Sequence, residues 1–289
     1  RLQNLINIVC RLLLEKNFIN KKQISKEEIK NYYFHFIVYN IKDNTLSIKL
    51  NRPEKKNALH PQMINEIGVL LEYAKYSKYV RIIIFESTGD TFCAGLDLKV
   101  INSKIDKIKS TVPSPKSEII ITDLLKNSAK PIISKVTGNV YAGGFLLIAN
   151  STYVIATVNL KFSLPEVKRG LFPFQVMESL IQVLPPKKAL SWCIRGNTIS
   201  SKEAKKIGLI TEIHDIDVID KKVEDLKNEI LENAPKAINM GIKAFNYISN
   251  QNKNQKYLQK MLKELIKTKD AKEGIKAFIE KRKPNWENN

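Results

Sequence analysis

The sequence contains few of the residues that build metal sites and disulfide frameworks. Its 289 residues include three histidines and three cysteines. Cys10, Cys93 and Cys193 lie far apart, with no CxxC or metal-ligand spacing, so we expect no metal site. The odd number of cysteines favours a reducing compartment. No apolar run reaches the roughly 20 residues of a membrane span, so we also expect no membrane insertion.

Acidic residues are scarce as well, with 29 Asp and Glu against 48 Lys and Arg and a net charge of +19. A charge of this size raises the question of nucleic-acid binding. The lysines are spread along the chain without an RNP, zinc-finger or Gly-Arg signature, so we expect no nucleic-acid partner. Abundant Lys, Asn and Ile indicate a biased composition. A positive surface would also steer a polyanionic substrate towards the protein.

The segment Gly138–Gly170 is the first candidate for a functional site. Its glycine pair, Gly143–Gly144, directly precedes an apolar helical run, where backbone N–H groups stay unpaired and can bind a phosphate or an oxyanion. Close helix packing is the alternative reason for such a pair. The turn in Thr91–Lys99 (TFCAGLDLK) offers further free N–H groups, and Glu166 supplies a carboxylate. Together these groups could stabilise an enolate beside a carbonyl.

Apolar periodicity predicts an α/β chain with alternating strands and helices. Phe34–Tyr39 and Thr45–Leu50 are expected to form a hairpin, and His60–Tyr76 has apolar residues at helical spacing. A strand–strand–helix unit is then expected to repeat along the sequence. Its predicted strands are Val80–Phe85, Pro131–Val136, Tyr153–Val158 and Leu209–Ile213, and its predicted helices are Gly143–Ala149 and Ser201–Ile207.

Three regions are predicted along the chain. Residues 1–33 form an N-terminal extension, in which the basic and apolar Arg1–Gln23 is either an organelle-targeting segment or an extra helix. Within it, Ser25–Glu28 offers an N-cap for a short helix. Residues 34–216 form the core, with Lys104–Ser117 as a loop or lid. Residues 217–289 are helical and charged, with helices expected around Lys221–Asn233, Pro235–Asn250, Gln255–Thr268 and Asp270–Lys281.

Several motifs occur in the order and spacing of one known family. From Phe34 to Trp286 the chain resembles the crotonase family, which contains the enoyl-CoA hydratases and isomerases. The resemblance implies a spiral of ββα units, a C-terminal helical region that makes trimer contacts, and an acyl-CoA thioester substrate without a separate cofactor. The motifs are NRPEKKNAL (Asn51–Leu59), FCAGLDLK (Phe92–Lys99), AGGFLL (Ala142–Leu147), PEVKRGLFP (Pro165–Pro173), SSKEAKKIGLI (Ser200–Ile210) and EGIKAFIEKRKPNW (Glu273–Trp286).

The resemblance also implies roles for individual residues. The oxyanion donors are the backbone N–H groups of Leu96 and Gly143, and Glu166 is the base. Hydratases of the family carry a second glutamate in the helix after the glycines, where this sequence has Leu146. Asp97 is expected to cap its local turn, and contact with the substrate is the alternative. The residues implied in substrate and CoA binding are Lys56, Ala58, Ala94, Leu96, Asp97, Leu98, Lys99, Tyr141, Gly143 and Lys281.

A single carboxylate favours one reaction over the others. Hydration needs one group to activate water and another to transfer the α-proton. By contrast, one base can shift a double bond by moving a proton from C2 to C4. We therefore favour conversion of 3-enoyl-CoA to 2-enoyl-CoA. Weak hydration, hydrolysis of 3-hydroxyacyl-CoA and binding without catalysis stay open as alternatives. The assembly is expected to be a trimer or a dimer of trimers, and the compartment the mitochondrial matrix, another organelle or the cytoplasm.

Overall fold

The computed structural model describes residues 24–97, 108–115, 119–249, 260 and 262–285. The predictions for Arg1–Gln23, for Leu98 and Lys99, and for much of the helix Gln255–Thr268 lie outside these residues. So does part of the predicted loop Lys104–Ser117, whose described residues 108–115 contain neither helix nor strand.

The larger of two sheets has six strands, in the order β1-β2-β3-β5-β7-β10. β1 and β2 form the predicted antiparallel hairpin, and the other neighbours pair in parallel. The first strand of the hairpin begins three residues later than predicted, at Ile37. The strands are Ile37–Lys42 (β1), Thr45–Leu50 (β2), Ile82–Ser87 (β3), Ile132–Val136 (β5), Tyr153–Thr157 (β7) and Glu212–His214 (β10).

Strand β3 reads as a continuous apolar run because both of its faces are buried. Ile83 and Phe85 join the principal core, whereas Ile82 and Ile84 join a second cluster on the opposite face. Successive side chains of a strand point to opposite faces, so one apolar run serves both layers. The helix Ile216–Glu232 closes the second cluster with apolar side chains at helical spacing, namely Ile219, Val223 and Ile230.

The smaller sheet has four short strands in the order β4-β6-β8-β9 and was not predicted. Its first three strands are parallel, and β9 is antiparallel to β8. Strands of three residues have no measurable periodicity, so the sequence gives no signal for them. They are Thr91–Cys93 (β4), Asn139–Tyr141 (β6), Lys161–Ser163 (β8) and Thr198–Ser200 (β9).

The two sheets together form the spiral expected from the sequence. Each of β3, β5 and β7 in the large sheet is followed by a short strand of the small sheet, β4, β6 and β8 respectively. Each turn of the chain therefore adds one strand to both sheets. In the small sheet β4, β6 and β8 pair in parallel, so the turns that follow these three strands lie side by side.

Most predicted helices are present, and their ends follow local capping. Ser25 and Ser200 each form a capping box with the glutamate three residues later, and His60 caps the long buried helix that follows it. The helix predicted from Lys221 begins at Ile216. The helices are Lys26–Asn31, Pro61–Tyr76, Ile121–Ser128, Phe145–Ile148, Phe174–Leu180, Pro186–Arg195, Ser201–Lys206, Ile216–Glu232, Pro235–Ser249 and Lys269–Ile279.

The last of these, Lys269–Ile279, is called the C-terminal helix below. It packs against the turn Pro165–Arg169, called the Glu166 turn, and shares a small apolar cluster with the chain just after that turn: Leu171, Ala271 and Ile275. The helix Pro235–Ser249 buries none of its residues. In the part of the chain that the structure describes, no helix is long and apolar enough to cross a membrane.

Candidate active site

The three groups predicted to act in catalysis follow three neighbouring strands of the small sheet. Leu96 comes three residues after β4, Gly143 two residues after β6, and Glu166 three residues after β8. The carboxyl ends of parallel strands lie at one edge of a sheet, and β6 is paired with both β4 and β8. The sheet that sequence patterns missed is therefore the element that brings these residues together.

The turn after β4 presents the N–H of Leu96. Leu59 forms a parallel bridge here: its N–H donates to the Gly95 carbonyl (2.7 Å), and its carbonyl accepts from the N–H of Asp97 (3.1 Å). The bridge uses the groups on either side of Leu96 and leaves the N–H of Leu96 pointing away from Leu59. No hydrogen bond of this N–H is found within the described ranges.

The turn after β6 brings the N–H of Gly143 to the same place. Ala142 has a φ of 50°, in the left-handed region, and Gly95 has a φ of 86°. A Cβ built on Gly143 would lie 3.4 Å from the nitrogen of Leu96, so the two predicted donors belong to turns in direct contact. Like the N–H of Leu96, that of Gly143 forms no hydrogen bond with another described residue.

The glycine pair also has a packing role, which was the alternative explanation. A Cβ on Gly144 would lie 2.8 Å from the carbonyl oxygen of Cys93, so the turn after β6 approaches the end of β4 closely. The predicted helix Gly143–Ala149 is a 3₁₀ turn, Ala142–Gly144, followed by a four-residue α-helix, Phe145–Ile148. So short a helix has a small dipole, and the position of the N–H groups matters more.

Glu166 lies in a 3₁₀ turn that begins at Pro165 and is closed by a hydrogen bond from the N–H of Leu171 to the Glu166 carbonyl (3.0 Å). Its Oε2 is buried and has no hydrogen-bond partner among the described residues. Burial raises the pKa of the carboxyl group to about 7, and the positive charge of Arg169 opposes this rise. The predicted shift towards neutrality is present, and its largest cause is desolvation.

The position of the second hydratase glutamate carries an apolar side chain that packs against apolar residues. Leu146 is half-buried and packs against the principal core. Its carbonyl accepts a hydrogen bond from Nδ2 of Asn150 (2.9 Å), which also donates to Oγ of Ser179 (3.0 Å). Glu178, a buried carboxylate, lies in the adjacent helix and was not singled out from the sequence.

The predicted CoA-binding segments lie beside the first turn. The carbonyl of Lys56 accepts from the N–H of Ala94 (3.0 Å), which joins the exposed Lys56 to the chain just after β4. Buried Asn57, with a φ of 50°, holds this segment through its side-chain amide, which donates to the carbonyls of Thr88 (2.8 Å) and Thr91 (2.7 Å). The motif around Lys56 thus has a structural reason for its asparagine.

Asp97 forms a buried ion pair with Arg52. Nη1 of Arg52 lies 2.7 Å from Oδ2 of Asp97 and also donates to the Ala58 carbonyl (3.2 Å). Both side chains are about nine-tenths buried, and the guanidinium group lies over the ring of Phe36 at 5.0 Å. The pair ties two segments together, so the structural contact of Asp97 is an ion pair, whereas a cap of the local turn was expected. Arg52 was not singled out from the sequence.

The remaining candidates differ in their relation to the three turns. Tyr141 is half-buried at the end of β6, where burial, assisted by the charge of Asp90, raises the pKa of its phenol. Lys281 is exposed just beyond the C-terminal helix, and no contact among the described residues joins it to the turns. Within the same residues, no cluster of histidine, cysteine and acidic side chains could hold a metal ion.

Two residues near Glu166 were missed because their role depends on tertiary contacts. Arg169 lies in the same turn, and its guanidinium group stacks on the ring of Phe278 from the C-terminal helix at 3.9 Å. Cys193, in the helix Pro186–Arg195, is buried, and burial together with the charge of Glu166 raises the pKa of its thiol to about 12. This thiol is therefore protonated at neutral pH.

The family model described as enoyl-CoA hydratase/isomerase matches residues 40–289. The chain belongs to this family, the crotonase family. Among solved structures, this family member is similar to a carnitinyl-CoA hydratase from Mycobacterium avium, with 28% identity and a TM-score of 0.76 over 88% of this chain and 99% of that one. It also shares its fold with a methylmalonyl-CoA decarboxylase, at 22% identity and a TM-score of 0.75 over 89% of this chain and 100% of that one.

Curated relatives cover most of the chain. A mevalonyl-coenzyme A hydratase from Aspergillus fumigatus is 28% identical over 250 residues, which are 83% of this chain and 90% of the relative. A probable mitochondrial enoyl-CoA hydratase from Dictyostelium discoideum is 29% identical over 247 residues, 83% of this chain and 87% of the relative. The crotonase family acts on acyl-CoA thioesters, so the small-sheet edge of this member is its candidate active site.

Proposed function

We propose that this protein is an acyl-CoA enzyme that shifts a double bond from the 3-position to the 2-position of an enoyl-CoA. The N–H groups of Leu96 and Gly143 hold the thioester oxygen, and Glu166 is the single base. The observation that carries the proposal is the pairing of a buried carboxylate at Glu166 with a leucine at position 146. Water addition needs a second acid–base group, and the position where hydratases carry it holds the apolar side chain of Leu146.

The two donors would stabilise the charge that develops when the α-proton is removed. An enolate oxygen between two backbone N–H groups needs no side-chain charge, and one such donor typically contributes about 2.7–4 kcal/mol to lowering the barrier. Direct contact between the two turns and the absence of competing hydrogen bonds within the described ranges support this role.

Glu166 would remove a proton from C2 and return it to C4, so that the carboxyl group ends as it began. A base works best when its pKa lies near the working pH, and burial brings that of Glu166 to about 7. No cofactor is required, since CoA enters as part of the substrate. We propose that the remaining residues implied by the family resemblance hold the CoA portion: Lys56, Ala58, Ala94, Asp97, Leu98, Lys99, Tyr141 and Lys281.

Hydration is the second candidate, because the relatives from Aspergillus fumigatus and Dictyostelium discoideum are both named hydratases. The experiment that separates the two incubates the purified protein with 2-enoyl-, 3-enoyl- and 3-hydroxyacyl-CoA and follows all products together. Isomerisation that exceeds hydration at least tenfold supports the single-base proposal. Comparable rates contradict it, and Glu178→Gln then tests the buried carboxylate in the helix beside Leu146.

The variant Leu146→Glu extends the same experiment. It restores the carboxylate of the hydratase pattern, so hydration of 2-enoyl-CoA is expected to rise relative to the wild type. A carboxylate in an apolar wall also costs stability, which thermal unfolding would record. Leu146→Gln is the matched control, because glutamine has the same size as glutamate but neither its charge nor its basicity. A folded Leu146→Glu variant with unchanged hydration would mean that this position does not limit the reaction.

We further propose a homotrimer or a dimer of trimers, and a mitochondrial location. Exposed apolar side chains on the helix Pro235–Ser249 support the first, and the basic, apolar Arg1–Gln23 together with the mitochondrial relative supports the second. Imaging a fluorescent fusion of the chain, with and without residues 1–23, tests the location. Mitochondrial signal that does not depend on these residues would contradict their targeting role.

A further inference from the structure

The Glu166 turn meets the C-terminal helix through two glycines with no room for a side chain. A Cβ on Gly170, whose φ is 69°, would lie 2.5 Å from the carbonyl oxygen of Asp270 and 2.9 Å from Cα of Ala271. A Cβ on Gly274 would overlap the carbonyl of Arg169 and lie 2.9 Å from the nitrogen of Gly170. Backbone therefore packs directly on backbone, so the helix defines where the turn lies.

Arg169 adds a side-chain contact to this junction. Its guanidinium group stacks on the ring of Phe278 at 3.9 Å, an arrangement that attracts a cation to the face of an aromatic ring. The residue lies three positions after Glu166 and is half-buried. The carboxylate and the guanidinium group act on each other's charge, each favouring the ionised form of the other. The ring of Phe278 therefore fixes the position of the guanidinium group whose charge acts on the carboxylate.

The C-terminal helix is itself anchored by the chain that follows it. Arg282 forms two hydrogen bonds with the carboxylate of Glu273, at 2.6 and 2.9 Å, and the N–H of Asn285 donates to the same carboxylate at 2.9 Å. Glu273 directly precedes Gly274, so these bonds lie next to the contact between the C-terminal helix and the Glu166 turn. These bonds fold the chain after the C-terminal helix back onto the helix beside Gly274.

We propose that Arg169 is a positioning residue for the Glu166 carboxylate, and that the C-terminal helix holds it in place through Phe278 and Gly274. This inference rests on the proposed role of Glu166 as the base. The helix Pro186–Arg195 and the C-terminal helix both pack on the Glu166 turn. The helix Pro186–Arg195 brings the neutral thiol of Cys193, and the C-terminal helix meets the turn with Ala271, Gly274 and Phe278. The turn itself carries Lys168, which is exposed, and Arg169, which is half-buried and whose charge lowers the pKa of Glu166.

The test measures the titration of Glu166 directly in the full chain, by the ¹³C resonance of its carboxyl group. The signal is assigned by its loss in Glu166→Gln. In Arg169→Met, which keeps an unbranched apolar stem but removes the charge, the pKa of Glu166 is expected to rise by about one pH unit. Phe278→Leu leaves the charge of Arg169 in place but removes the ring on which it stacks, and is expected to raise the pKa of Glu166 by less. Unchanged titration in both folded variants would overturn the proposal.

Activity supplies the second readout. A rise of one unit in the pKa of Glu166 lowers its ionised fraction at pH 7 from about one half to about one eleventh, so in Arg169→Met the kcat for 3-enoyl-CoA at pH 7 is expected to fall about fivefold. KM is expected to change less than about twofold. Gly274→Ala should lower kcat by displacing the turn. Gly241→Ala is its matched control, because a Cβ there has nothing within 4 Å. A lower kcat in Arg169→Met without a change in the titration of Glu166 would also overturn the proposal. A wild type that is inactive on every enoyl-CoA would defeat the proposed function, whereas the titration would still decide the role of Arg169.

Discussion

The backbone nitrogen of Gly143 lies against Gly95, where a Cβ would stand 2.7 Å from that nitrogen and 2.5 Å from Cβ of Ala142. The two turns that carry the proposed oxyanion donors therefore meet without an intervening side chain. Only glycine meets both conditions at position 95, because its φ of 86° also disfavours any side chain.

Gly95→Ala is expected to separate the two donors and to lower kcat for 3-enoyl-CoA by about 10²–10³-fold, the usual cost of one lost oxyanion donor. Gly208→Ala is the matched control. Its φ of 89° imposes the same backbone strain, but the nearest atom to a new Cβ is the Val183 carbonyl oxygen at 3.6 Å. Steady-state kinetics on both variants check this. Equal losses of activity would show that backbone strain alone is responsible.

Glu166→Gln keeps the size of the side chain but removes the base. The rate of 3-enoyl-CoA isomerisation is expected to fall about 10²–10⁴-fold, the usual contribution of general acid–base catalysis. Binding should persist, so saturating acyl-CoA should still raise the unfolding temperature of the variant. Glu264→Gln, at an exposed position, is the control and should retain wild-type activity. A Glu166→Gln variant with wild-type turnover would rule out this residue as the base.

The pH dependence of the reaction follows from the same carboxyl group. Burial raises the pKa of Glu166 from 4.5 to about 7, so the base is ionised above this pH and protonated below it. We expect kcat/KM to fall about tenfold for each pH unit below 7. Rate measurements between pH 5 and 8 on wild type and Glu166→Gln check this, and the residual activity of the variant should lack this limb.

The stability of the fold should change with pH in the opposite sense. A carboxyl group with a raised folded-state pKa binds its proton more tightly in the folded protein than in the unfolded chain. Its contribution to stability is therefore fully present below pH 4.5 and is lost as the pH rises through about 7. Between pH 4.5 and pH 8, the free energy of unfolding of Glu166→Gln should rise by roughly 3 kcal/mol relative to that of the wild type. Denaturation of both proteins at the two pH values measures this difference. A constant difference between the two proteins would contradict this linkage.

Arg52→Met removes the counter-ion from a buried carboxylate and should destabilise the fold by about 3–5 kcal/mol. The double variant Arg52→Met/Asp97→Asn should recover part of that loss, because no buried charge then remains in this pair. Lys42→Met, in the exposed pair with Asp43, is the control and should change stability by less than about 0.5 kcal/mol. Urea denaturation measures all three. A loss in Arg52→Met no larger than that of the control would mean that the ion pair is not structural.

The proposed assembly predicts the effect of a charge on the helix Pro235–Ser249. Phe245 is 66% exposed and Tyr247 70% exposed in the single chain, which is unusual for large aromatic side chains. Phe245→Glu is expected to convert trimers into monomers at micromolar concentration, as measured by light scattering. Lys236→Glu introduces the same side chain at a position that is already polar and should leave the assembly intact. A wild type that is monomeric would remove the proposed interface.

The residues of the candidate site could be selected from the sequence, and parts of the fold as well. The hairpin, the buried helix Pro61–Tyr76 and the parallel strands of the large sheet carry periodic apolar patterns, and their predictions are confirmed within a few residues. Ser25 was predicted to cap a helix, and it does. The small sheet was missed, as was the helix Pro186–Arg195. This helix begins within a proline pair, which marks a turn as readily as a helix start.

The sequence by itself determined which chemistry is available, since glycine turns, one glutamate and a leucine at position 146 are properties of single residues and short motifs. Only the tertiary structure decided that these groups meet. Leu96, Gly143 and Glu166 are up to 70 positions apart along the chain, and three strands of three residues each place them at one sheet edge. The pKa of Glu166 and the contact of Arg169 with Phe278 likewise depend on burial and packing between distant segments. Such contacts leave no periodic trace in a sequence, because each depends on how two separate elements pack together.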